Sequence, residues 1–294
     1  MHAALDRMPR LQYLTDSLRR VYPDLLLLSA GDQQTGNLYN DRATDFPSPV
    51  TALMNRLQFD ASTLGNHEFD RGLARLTGEM SAASFPYLVC NVSAEETPDS
   101  LTAAFLEQCY PRLLRRSYYG YRIALIGLTQ RGTTGKPDTN PQAVAGLRFA
   151  PWEESLALVP WKRLRAKNDL VILLSHAGFD IDTLIARKYG RELDLIVGGH
   201  THYNLPEGWQ RDSSCLVVQN NDGLRHVTLV VFEKAAGGGW THTLQQFEPD
   251  KFPADSAFAR RVADFCRDTV LSHRVACLEA PIEGRRRLGE LECR

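Results

Sequence analysis

The sequence predicts an α/β fold whose chemistry gathers on loops at one edge of a sheet. Apolar runs of strand length alternate with segments of helical periodicity, and four of those runs end in short loops rich in glycine, histidine, asparagine and aspartate. The size agrees: 294 residues, 43% hydrophobic and 23% charged, can bury a sizeable core as one large domain or two small ones.

The elements follow in order along the chain. Met8, Leu11, Leu14 and Leu18 stand at helical spacing with Pro9 at their start, and the run Leu25 to Leu28 predicts a buried strand ending at Ser29-Ala30-Gly31-Asp32. Val50, Leu53, Met54 and Leu57 predict a second helix, and Phe59 to Leu64 a strand running into Gly65-Asn66-His67-Glu68-Phe69-Asp70. Tyr87 to Cys90 and Arg122 to Leu128 read as further strands. Pro151 to Lys167 reads as one long helix, with Glu153 and Glu154 in its first turn. Leu170 to Leu174 then leads to Ser175-His176-Ala177-Gly178, and Leu193 to Val197 to Gly198-Gly199-His200-Thr201-His202. Segments at Cys215 to Gln219, Val227 to Phe232 and Thr241 to Phe247 suggest antiparallel strands completing a sheet, with Gly237-Gly238-Gly239 as a hairpin turn. The expected division is a catalytic domain over residues 1–250 and a tail over 251–294, with one helix from about Asp255 to Ser272 and a basic end at Arg285-Arg286-Arg287.

Composition excludes some functions. A formal net charge of -1 gives no long-range field of the kind a dedicated nucleic-acid or acidic-membrane binder uses, so any anion must meet a local site. No apolar run reaches the roughly 18 residues of a membrane span, and the start Met1-His2-Ala3-Ala4-Leu5-Asp6 lacks the regions of a signal peptide. Read literally, the chain is cytoplasmic. The cysteines (Cys90, Cys109, Cys215, Cys266, Cys277, Cys293) form no CxxC pair and no zinc spacing, and read as buried or idle thiols. His226, His242 and His273 read as structural, the Arg112, Arg115 and Arg116 cluster as a solvated edge, and Asn220 to Asp222 as a turn with Gly223.

The four strand ends deliver Asp32, then Asn66 with His67, then His176, then His200 with His202. Any one histidine at a strand end is more often structural than a ligand, but four successive loops are where an α/β sheet collects its site. Oxygen and nitrogen donors without thiolates suit divalent Mn, Fe, Co, Zn or Mg. A carboxylate such as Asp32 can bridge two such ions, and two ions about 4 Å apart can activate water and clamp a phosphoryl group.

Gly31-Asp32, Gly65-Asn66-His67-Glu68, Ser175-His176-Ala177-Gly178 and Gly199-His200-Thr201-His202 resemble the ordered motifs of the calcineurin-like metallophosphoesterase superfamily. Leu64 to Gly72, Cys90-Asn91, Ile126 to Thr129 and Asp194 to His202 resemble its 5'-nucleotidase branch, and the similarity runs roughly from Met1 to Phe232. The resemblance implies a four-layer α/β/β/α sandwich and hydrolysis of a small phosphate ester, of the nucleotide class, by a metal-bridging hydroxide. It implies that Asp32 bridges two divalent ions, that His202 serves the first, and that Asn66, His176 and His200 serve the second. His67 would be the catalytic residue with Asp70 orienting it; alternatively, Asp70 caps the helix starting near Arg71.

One motif is incomplete. The family opens with Asp-x-His on its first strand, and His2 stands at the right distance from Asp32 to be that histidine, while the Asp would fall one position before Met1. Either the chain starts upstream, with a first strand and an export signal that would send it to the periplasm, or it is short. Base selectivity has no visible source after Phe232, so a nucleotide-binding half could come from another polypeptide. A cyclic phosphodiesterase of the same fold, and a truncated paralogue acting as a scaffold, stay open.

Overall fold

The computed structural model describes residues 1–117, 119–211 and 215–267. Helix α1 (Met8–Val21) leads to β1 (Leu28–Ser29), and α2 (Leu38–Asp41) and α3 (Pro49–Leu57) lead to β2 (Ala61–Thr63). Next come α4 (Leu73–Ala82), β3 (Tyr87–Leu88), β4 (Val92–Ala94), α5 (Ser100–Glu107), β5 (Cys109–Tyr110), β6 (Arg112–Arg116) and β7 (Arg122–Leu128). The second half runs through β8 (Leu147–Phe149), α6 (Trp152–Ala157), α7 (Trp161–Lys167), β9 (Leu170–Ser175), α8 (Phe179–Tyr189), β10 (Leu195–Gly198) and β11 (Leu216–Gln219). A hairpin of β12 (Val227–Lys234) and β13 (Trp240–Phe247) and helix α9 (Ser256–Phe265) follow.

Two sheets form the centre, one ordered β1-β2-β3-β5 and the other β11-β10-β9-β7-β6. The first is parallel throughout, and in the second only the edge strand β6 is antiparallel. Period-2 alternation on β7 explains the layering: Ile123 and Leu125 face the space between the sheets with Ile172, Leu174, Ala61 and Leu88, while Ala124, Ile126 and Leu128 face the other way. That outer face packs against Leu156, Trp161, Leu164 and Ile185 of α6, α7 and α8. On the far side of the first sheet, Met8, Leu11, Leu53, Met54, Leu76 and Phe105 come from α1, α3, α4 and α5. Helices, sheet, sheet and helices therefore stack as the four-layer sandwich. Phe258 and Val262 of α9 belong to the same cluster as α1, so the described part of the tail is packed against the core.

Several elements differ from expectation. The strand at Leu25 to Leu28 is confined to Leu28–Ser29, because the Leu25 amide donates to Tyr22 and the Leu27 amide to Asp60 Oδ2 instead of to a neighbouring strand. Beside this edge lies a cavity of about 480 Å³ lined by Leu14, Leu26, Ile172, Val218 and Val230, and also by His2 and His202. The long helix at 151–167 is two, since Pro160 cannot continue the hydrogen-bond ladder of α6 and instead stands at the N-cap of α7. β11 pairs parallel to β10; only β12 and β13 form the antiparallel completion, closed by a turn in which Ala235 N donates to Gly239 O. Cys90, Cys109, Cys215 and Cys266 are free thiols, and burial pushes Cys90 and Cys109 up to about 12, which leaves them inert. His273, Cys277, Cys293, the basic end and the predicted helix beyond residue 267 lie outside the described residues. Among the described residues no helix is long and apolar enough to cross a membrane.

Candidate active site

The C-terminal ends of β1, β2, β9 and β10 converge, and all the residues singled out in the sequence meet there. Asp32 is at the centre and buried, 3% exposed. Its Oδ1 accepts from the His67 amide at 3.0 Å, and its Oδ2 lies 3.1 Å from His176 Nε2 and 3.7 Å from His2 Nε2. One carboxylate oxygen thus lies close to two imidazoles, one from the start of the chain and one from the end of β9.

On the first side His2 Nε2 and His202 Nε2 face each other at 3.0 Å. Ligand atoms of His2, Asp32 and His202 all fall within 4.8 Å of one another, close enough to share an ion. On the second side His200 Nδ1 lies 3.1 Å from Asn66 Oδ1. His176 Nδ1 bonds the Ala30 carbonyl, which fixes the tautomer and turns Nε2 toward Asp32. That Nε2 is buried and makes no well-aligned hydrogen bond, although it faces the Asp32 carboxylate at ion-pair distance. A buried nitrogen facing a carboxylate without a well-formed hydrogen bond fits a cation between them.

Electrostatics agree with a ligand role. Burial pushes His2 down to about 4, and it likewise lowers His200 and His202, which leaves these imidazoles neutral and able to donate a lone pair. His176 behaves differently: burial presses it down, but the charge and hydrogen bond of Asp32, the Ala30 carbonyl and the Glu68 charge together hold it above its ordinary value. Asp32 is held well below the carboxylate range, because His176, His67 and the terminal amine outweigh its burial. Positive charge is what this pair selects.

Backbone strain marks the same residues. His2, Asp32, His200 and His202 have φ of 51°, 53°, 72° and 56°, a left-handed region that costs non-glycine residues about 1 kcal/mol or more each. Gly65 is required by close approach, since a Cβ there would lie inside the Asp32 carboxylate. A Cβ on Gly31, at φ 92°, would come within 2.6 Å of the Gly65 amide. Gly65→Ala is expected to abolish metal binding by pushing Asp32 aside; calorimetric titration with Mn or Zn checks this, and wild-type affinity would contradict it.

His67 and Asp70 form a pair beside these ligands. His67 Nδ1 meets Asp70 Oδ2 at 2.6 Å, and the His67 ring centroid is 5.0 Å from that of His2. The bond to Asp70 raises His67 above its ordinary value, and the bonds from His67 and Thr139 lower Asp70 despite partial burial. The cap alternative for Asp70 does not hold, since Gly72 is the N-cap of α4 and the Asp70 carboxylate goes to His67 and Thr139.

Sequence reasoning gave no role to three residues that hold the loops. Glu68 is buried and accepts four amides: Asp32 N at 2.8 Å, Gln33 N at 2.7 Å, Gln34 N at 3.2 Å and Gly65 N at 2.6 Å. It clamps the first loop to the second. Its place in the Gly65 to Glu68 motif was the only available signal. Glu68→Ala leaves buried N–H groups without an acceptor, and since each costs about 1–3 kcal/mol the variant is expected to lose at least about 3 kcal/mol in urea unfolding; a loss below about 1 kcal/mol would contradict the clamp. Gln219, at the end of β11, accepts from Thr201 Oγ1 at 2.9 Å and Tyr203 N at 3.1 Å, and so shapes the His200-Thr201-His202 loop.

Asp182, in the first turn of α8, is fully buried beneath the loops. Ser175 Oγ donates to its Oδ1, its Oδ2 has no partner, and burial raises the carboxyl to about 7. A folded-state value above the unfolded one means that the native protein holds the extra proton, so stability falls as pH rises from about 4 to about 7. Asp182→Asn is expected to raise the melting temperature relative to wild type more at pH 8 than at pH 5. Equal differences at the two pH values would show that Asp182 does not titrate there.

Comparison with known proteins agrees with this geometry. Residues 1–204 match the family model for calcineurin-like phosphoesterase. The chain is 32% identical to human 5'-nucleotidase over 204 residues, which is 68% of this chain and 33% of that protein. It is 33% identical to 5'-nucleotidase of Vibrio cholerae serotype O1 over 192 residues, 60% of this chain and 32% of that protein. The chain therefore spans about a third of the length of these curated relatives. Among solved structures, a 5'-nucleotidase precursor from Thermus thermophilus superposes with a TM-score of 0.72 at 25% identity, covering 90% of this chain and 53% of that one. The sulfate thiohydrolase SoxB of Thermus thermophilus superposes with a TM-score of 0.73 at 20% identity, covering 88% of this chain and 46% of that one, a likeness of fold alone. Members of the matched family bind divalent metal ions. With its sandwich fold and convergent donors in place, the chain belongs to the calcineurin-like phosphoesterase family.

Proposed function

We propose that the chain hydrolyses phosphate monoesters of the nucleotide class with two divalent ions. The carrying observation is that the Asp32 carboxylate lies close to His2 and His202 and also to His176, while His200 pairs with Asn66 and His67 with Asp70. Bound there, the ions would supply a nucleophile from water and positive charge for the phosphoryl oxygens. The rest falls to the chain's own side chains. Asp70 accepts the Nδ1 proton of His67 and fixes the tautomer, so Nε2 is the nitrogen that carries a proton to the leaving oxygen as the phosphorus–oxygen bond breaks. The bond to Asp70 raises His67 above its ordinary value, which favours the doubly protonated ring that has a proton at Nε2 to give.

The substrate class rests on the relatives named 5'-nucleotidase, and we assign nucleobase contacts to a nucleotide-binding part outside the matched residues, in this polypeptide or another. The test combines metal analysis with phosphate release from adenosine 5'-monophosphate, p-nitrophenyl phosphate and bis(p-nitrophenyl) phosphate. Two ions per chain and turnover of the monoesters support the proposal. Turnover of the diester alone would make the protein a phosphodiesterase, and one ion or none without turnover would make it a scaffold.

A further inference from the structure

The loop that follows β7 reaches across the site, although the sequence gives it no motif. It is folded on itself: Gly132 N donates to Lys136 O at 2.8 Å, Gln130 Nε2 donates to Asp138 Oδ2 at 2.8 Å, and Asp138 N donates to Gln130 Oε1 at 2.9 Å. Gln130 is itself buried, so these bonds fix the loop to the end of the second sheet. Two consecutive residues at its tip then hold the loop that follows β2 in the first sheet. The Asp138 carbonyl accepts from Asn66 Nδ2 at 3.0 Å, and Thr139 Oγ1 donates to Asp70 Oδ1 at 2.9 Å.

Each bond decides an orientation. Engaging Asn66 Nδ2 turns the amide oxygen toward His200 Nδ1, so the Asn66 flip is set by Asp138. Occupying Asp70 Oδ1 leaves Oδ2 for His67, which fixes the carboxylate plane against the imidazole. Thr35 also bonds the Asp70 carboxylate but more weakly than Thr139, so without the Thr139 hydroxyl the carboxylate is freer to rotate about its last torsion and the His67 ring with it.

We propose that Thr139 is a positioning residue for the leaving-group step, holding Asp70 and through it His67 by one hydroxyl bond from the opposite sheet. The inference rests on the dyad reading given under Proposed function. Proton donation matters most when the departing oxygen is basic, so misplacing His67 should slow an ester with a poor leaving group and spare one with a good leaving group.

The test compares phenyl phosphate with p-nitrophenyl phosphate in the metal-loaded protein for wild type, Thr139→Val, Thr139→Ser and His67→Ala. Thr139→Val keeps the shape and removes the hydroxyl, and it is expected to lower kcat about tenfold on phenyl phosphate and less than about twofold on p-nitrophenyl phosphate, with KM and metal content unchanged. Thr139→Ser should restore the wild-type ratio. In metal-free protein the downfield Nδ1 proton of His67 should broaden or move in Thr139→Val and return in Thr139→Ser. An equal loss on both esters, a loss of metal, or no change in either ester overturns the role of Thr139 while His67→Ala still discriminates between them. If His67→Ala slows both esters equally, the dyad reading itself fails, and this inference with it.

Discussion

Asp32→Ala is expected to lose both metal ions together, and with them at least about a thousandfold in turnover. The size follows from the work assigned to the ions: several kcal/mol of transition-state stabilisation, at about 1.4 kcal/mol per factor of ten. The simultaneity follows from geometry, because Oδ2 of this one residue is within 3.7 Å of His2 on one side and 3.1 Å of His176 on the other. Losing His202 should weaken the first group alone. Elemental analysis after gel filtration, with circular dichroism to verify folding, decides it. If Asp32→Ala keeps one ion at wild-type affinity, the two groups are independent and the bridge is refuted.

His67→Ala should act on turnover without touching metal content. General acid assistance contributes about 10²–10⁴ in rate, and the fall in kcat should lie in that range. The role also has a pH signature. Asp70 is the largest cause of the raised His67 pKa, so removing the carboxylate lets that pKa fall and the proton depart at lower pH. In Asp70→Asn the alkaline limb of the kcat/KM profile is therefore expected to move to lower pH. A limb that stays in place would assign it to another group, and metal loss in His67→Ala would make this residue a ligand.

The candidate set was legible because Asp32, Asn66, His176, His200 and His202 each sit within a few residues of an apolar run and of a glycine, and strand ends on one edge of a parallel sheet must lie together. His2 was placed by its distance from Asp32 along the chain, and the structure brings its Nε2 to 3.0 Å from His202 Nε2. What escaped reading depends on partners distant in sequence. Glu68 looks like one more acidic residue until four amides from two loops are seen to end on it. Thr139 meets Asp70 across 69 positions, and Gln219 meets Thr201 across 18, with no periodicity to announce either. The fold shows the same division. Period-2 runs identify strands but not the direction of their neighbours, so β11 read as antiparallel and lies parallel to β10. A four-leucine run promises a strand, but pairing needs a neighbour, and the amides of Leu25 and Leu27 bond elsewhere.

The left-handed backbone at His2, Asp32, His200 and His202 bears on which ion the protein carries. A left-handed φ limits where each donor can point, and at Asp32 the Glu68 carboxylate holds the backbone amide at 2.8 Å. A set of imidazole, amide and carboxylate donors without thiolate takes several first-row ions in the order of their intrinsic affinities. The ion found in the protein will therefore record the supply where the chain folded rather than a choice made by the site.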